Sequence, residues 1–131
     1  MELIFKTLIF AILLLVIDIS WLYFFMSGKY LSFFNKINLE LKTEKLSASI
    51  AYLILILCYP LIIHNSNNKL LTSIMLGAVI YGTYGFTLSA IFSDYTIQLA
   101  LTEMLWGSFL FLITTYLTNI ISNNISIKIK R

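Results

Sequence analysis

The chain has 131 residues, 60% of them hydrophobic and only 11% charged, with a net charge of +3. A soluble domain carries roughly 25% charged residues, so this composition excludes a water-covered core, and a mean hydropathy of +0.91 points to lipid as the solvent. The nine basic residues form no stripe, which argues against nucleic acid, and the single cysteine, Cys58, excludes an internal disulfide and any multi-cysteine metal site.

The first apolar segment runs from about Leu3 to Met26. Asp18 interrupts it, no small-residue cleavage site follows and aromatic residues continue to Phe25, so it reads as a retained span and not as a signal peptide. The connection from Gly28 to Lys45 is rich in lysine, and within it Tyr30, Phe33, Phe34 and Ile37 fall at helical spacing beside Lys29 and Lys36. That pattern suits a short helix lying in the membrane interface or a solvated loop.

The second segment, about 46–63, contains Pro60, which is expected to kink or end its helix. A polar turn from His64 to Lys69 leads to the third segment, about 70–92; His64 is read as an exposed loop residue. A tight link, Ser93 to Thr96, leads to the fourth, about 97–121, with Ser93 or Asp94 as its cap. Beyond it, Ser122 to Arg131 reads as a basic tail. Each segment is near the roughly 20 residues a helix needs to span hydrocarbon. None shows the strict alternation of a barrel strand. The expected architecture is one transmembrane domain, an all-α bundle of four helices with antiparallel neighbours. Four spans put both termini on one side, and the lysine and arginine count tips slightly towards a cytoplasmic location for them.

Polar residues inside the spans are the candidates for function. A central aspartate costs about 2.5–3.5 kcal/mol on insertion scales, so Asp18 calls for a partner inside the bundle, as does Glu103. At 1.5 Å per residue, Asp18 lies roughly 5 Å and Glu103 roughly 9 Å from the midplane. Their spans run in opposite directions, so both acids fall in the same half of the bilayer. Trp21, Tyr52, Tyr84, Thr87 and Trp106 fall there too, which predicts a buried acidic and aromatic layer. Asp18 and Trp21, like Glu103 and Trp106, are three residues apart on one helix face, and an indole N–H can donate to a carboxylate on a neighbouring helix. Either the layer keeps the helices in register or it forms a site for an ion, a proton or a headgroup. Ala78, Gly82, Gly85 and Ser89 share a face of the third span and suit close helix packing. No nucleophile–base pair, phosphate loop, metal spacing or cofactor motif is present.

Three blocks carry a resemblance. Asp18-Ile19-Ser20-Trp21-Leu22, followed by Tyr30, is one. Gly77 with Tyr81-Gly82-Thr83-Tyr84-Gly85-Phe86-Thr87 is the second, and Glu103-Met104-Leu105-Trp106-Gly107 the third. In order and spacing the chain resembles, from about Leu3 to Ile121, the bacterial and large-DNA-virus membrane proteins grouped as a domain of unknown function, number 2177. It departs from their pattern where Gly85 and Leu88 replace an Asp and an Asn, and where Glu103 replaces an Asp. The resemblance implies a four-span fold and supplies no activity. The expectation is a non-enzymatic membrane component, with a small transporter, channel or proton-handling protein using Asp18 and Glu103 as the alternative, and a lipid-modifying enzyme behind both. The expected partner is the lipid bilayer, with a second copy or another membrane protein as further candidates.

Overall fold

The computed structural model describes residues 1–38 and 44–129, with side chains to residue 125. Lys42, Lys130, Arg131 and the Lys128 side chain, which enter the charge count above, lie outside it. Four helices are long and apolar enough to cross a membrane: Glu2–Lys36, Lys45–Ile63, Lys69–Ile91 and Ile97–Ile125.

The first is longer than expected. Helix α1 (Glu2–Trp21) passes through a π-helical turn, Leu22–Met26, directly into α2 (Ser27–Lys36). The stretch read above as a short interfacial helix or a loop is therefore helical, and it is continuous with the first helix. Its 35 residues reach roughly 50 Å, well beyond the roughly 30 Å of hydrocarbon. The extension is kept helical by packing, since Phe33 is buried against Tyr95 and Ala100. It ends at Asn38, the one described non-glycine residue with positive φ (53°), a left-handed stop that asparagine tolerates.

Helix α3 (Lys45–Cys58) is capped by Glu44, whose carboxylate accepts from the Leu46 and Ser47 amides. At Pro60 the missing N–H and the ring clash make the ladder slip to π spacing over Tyr59–Ile63. The His64 amide then closes on the Tyr59 carbonyl at 2.8 Å. Helix α4 (Lys69–Ile91) is capped by Asn68. Helix α5 starts at Ile97 behind Thr96, whose hydroxyl accepts from the Leu99 amide, so the cap is Thr96 and neither Ser93 nor Asp94. It runs on to Ile129, and the expected tail is largely helix.

The chain goes up, down, up and down, so α5 is antiparallel to both α1 and α4, its principal partners. The α4–α5 pairing is the most extensive, because a Cβ on Gly77 would land on the Gly107 carbonyl and a Cβ on Gly107 would land on the Tyr81 ring. The two backbones touch there, which is how small residues bind helices in lipid, where burial of apolar surface gives no drive. Helix α3 is held mainly near its end. Tyr59 and Ile63 join Phe10, Leu14, Leu110 and Phe111 in a fully buried core, where the Phe10 and Tyr59 rings stack at 4.8 Å. Among the described residues no α3 position before Tyr59 is fully buried.

Candidate functional site

Because α3 is anchored at the Tyr59–Ile63 turn, its earlier part stands off from α4 and leaves a space bounded by α1, α3, α4 and α5. This cavity has a volume of about 570 Å³, within the range of small-molecule sites. Leu22, Phe34, Leu55 and Ile80 give it apolar walls, and Asp18 and Glu103 are part of its lining. Ala51 and Ile54 on α3 and Tyr84 on α4 line it while remaining exposed, so the mouth lies between α3 and α4.

Asp18 is only 4% exposed. Trp106 Nε1 donates to its Oδ1 at 2.8 Å, and the Tyr52 hydroxyl donates to Oδ2 at 3.0 Å. Tyr81 also interacts with this carboxylate. The acid on α1 thus ties α3, α4 and α5 together. In hydrocarbon each of these donors would otherwise be orphaned, at a cost of about 1–3 kcal/mol apiece.

Glu103, only 3% exposed, is served differently. It accepts from the Tyr30 hydroxyl of α2 through Oε1. Among the described residues no other hydrogen-bond donor reaches it, and no basic group forms an ion pair with it; the ion pair present is Lys6–Glu2, at 2.6 Å on the other side of the membrane. The charge of Lys29 reaches Glu103 from an exposed position on α2. Tyr95, buried in the link before α5, packs edge-on against Phe33 at 5.2 Å, and burial followed by the nearby Glu103 pushes its phenol above the ordinary range.

The other singled-out residues are distributed as follows. Trp21 stacks flat on Trp106, with centroids 4.2 Å apart and planes 8° apart, but its own N–H is buried without a partner and donates to no carboxylate. Thr87 is exposed on α4 and does not enter the site. In the small-residue stripe, Gly85 lies against Ala100, and the atoms nearest a Cβ on Gly82 are those of the Met104 side chain. Ala78 and Ser89 are half-buried, and the closest approach is at Gly77, outside that stripe. His64 is half-buried with Nδ1 out of solvent, so it is not a free loop side chain.

Tyr30 and Tyr81 are site residues that span depth alone does not reveal. Both stand in the blocks that carry the family resemblance, but Tyr30 lies in a lysine-rich stretch outside the apolar run. Tyr81 could have been found one turn before Tyr84 and Gly85, on the α4 face that also carries Gly77. Among the described residues no group of three or more His, Cys, Asp or Glu stands close enough to hold a metal ion.

A search of curated proteins and of solved structures finds no match to the chain. A family model described as predicted membrane protein (DUF2177) matches residues 3–120. That match covers both acids, every residue of the cavity wall and most or all of each span, and the chain accordingly belongs to this family of membrane proteins.

Proposed function

We propose that this protein is a non-enzymatic membrane component that takes an apolar or amphipathic molecule from one leaflet into the cavity between α1, α3 and α4. The observation that carries this reading is the pair of buried carboxylates on the wall of an apolar space that opens sideways between α3 and α4. Asp18 holds the frame of the cavity, and the frame leaves room for a guest. The mouth faces acyl chains, so lipid-dissolved molecules reach it without crossing water.

Retention of a guest through purification tests the reading. The protein exchanged into fresh detergent and weighed intact by native mass spectrometry should keep one lipid or lipophile per chain. Ala51→Trp, which fills the mouth, should lose it while remaining folded. Equal retention by the two proteins, or none by either, would overturn the proposal.

A second reading, proton or cation transfer, is favoured by one specific feature. The Tyr30–Glu103 hydrogen bond connects α2, at the membrane edge, to an acid inside the bundle. Flux in proteoliposomes that disappears in both Glu103→Gln and Tyr30→Phe would favour it.

A further inference from the structure

We infer that the guest of this cavity is a lipophilic cation, held by Glu103 as its counter-charge while Asp18 acts only as a positioning group. This rests on the reading of the cavity as a binding site and adds the chemical class of what it binds.

The two acids differ in what they have left to offer. Both oxygens of Asp18 are occupied, Oδ1 by Trp106 and Oδ2 by Tyr52. Glu103 is equally buried, yet Tyr30 on Oε1 is its single donor among the described residues. It lines the cavity, so its remaining acceptor capacity is available to an occupant. An ionised carboxyl in such a place calls for a counter-charge, because a lone buried charge is costly. Lys29 does not come within ion-pair distance. The walls favour the same sign. Tyr30, Phe34, Tyr52, Tyr81 and Tyr84 line the space, and aromatic faces attract cations, the more so when desolvated. Neutral lipophiles would use the apolar walls but leave Glu103 without a second partner. Anions would be repelled by the Glu103 carboxylate.

Two ions of the same shape and opposite sign separate charge recognition from mere apolarity. Tetraphenylphosphonium and tetraphenylborate are titrated by equilibrium dialysis into the full chain in nanodiscs of zwitterionic lipid, with empty nanodiscs subtracted. The phosphonium should bind saturably, one per chain, at least about tenfold more tightly than the borate. Glu103→Gln should erase that preference, and Asp18→Asn should keep most of it. Equal binding of the two ions by the wild type, or a cation preference that survives Glu103→Gln, would overturn the inference. The wild-type comparison stands whether or not the Gln variant folds. If the ions bind equally but saturably and Ala51→Trp abolishes both, the cavity is a binding site and only its charge preference is refuted. If neither ion binds while a neutral lipid is retained, the cation assignment likewise fails alone.

Discussion

The two halves of this bundle are built from the same helices and differ in how they are filled. Towards the termini, Phe10, Leu14, Tyr59, Ile63, Leu110 and Phe111 leave no exposed surface. The Ser73 and Thr115 hydroxyls pair there at 2.7 Å, and among the described residues no acid enters that core. Towards the end of α2, the start of α3 and the link at 92–96, the same helices surround about 570 Å³ of space with two acids in its wall. The difference originates in α3. Pro60 and the π turn that contains it bring Tyr59 and Ile63 into the core, and the earlier turns of α3 stand off from α4. A filled half supplies stability and lets the other half carry buried acids and empty volume.

The sharpest break of this contrast is at the α4–α5 crossing. Gly77→Leu sets a side chain against the Gly107 backbone, which cannot rotate away, so the cost should be at the upper end of overpacking, about 3 kcal/mol or more. Thermal unfolding in detergent should show loss of the folded protein. Gly82→Leu, by contrast, meets Met104 Cγ at 3.0 Å, a flexible side chain, and should cost about 1 kcal/mol. Equal effects at the two glycines would refute the assignment of the crossing to Gly77.

Next in size is Asp18. Asp18→Ala leaves the Trp106 and Tyr52 donors unpaired and should destabilise by about 2–4 kcal/mol. Asp18→Asn keeps an acceptor and should recover much of that. If Ala and Asn unfold at the same temperature, the carboxylate is not the tie between helices.

The smallest effect concerns Glu44. Hydrogen bonds from Ser47, then from the Leu46 amide, hold its carboxyl below the ordinary carboxylate value. A depressed folded-state pKa stabilises the cap above the unfolded value, and that contribution is lost as pH falls through the lower, folded one. Amide exchange at Leu46 and Ser47, corrected for its intrinsic pH dependence, should gain protection as pH rises through this acidic window. Glu44→Gln should flatten the change, and an unchanged profile would remove Glu44 as the cap.

Much of this architecture is legible in the sequence, for physical reasons. Hydrocarbon thickness sets span length, so four apolar runs give four helices. The cost of a lipid-facing aspartate sends Asp18 inward, and the helical rise puts Glu103 at a similar depth. What is not legible depends on contacts between helices. The continuation of α1 into α2 follows from Phe33 finding Tyr95, which composition cannot show because Lys29 and Lys36 make the stretch look like a loop. The choice of Gly77 over Gly82 depends on helix rotation, which four small residues on one face leave open. The cavity depends on where α3 is anchored, a matter of packing around Tyr59.

The contrast between a filled and a hollow half is tested most directly by asking which rings lipid can touch. With tyrosine and phenylalanine side chains isotopically labelled and the protein in nanodiscs, nuclear Overhauser contacts to acyl-chain methylene protons are recorded for each ring. The account predicts contacts to Tyr52 and Tyr81 within the cavity and none to Phe10, Tyr59 or Phe111. Tyr52 and Tyr81 rings as silent as Phe10, or acyl-chain contacts to Phe10 itself, would contradict it.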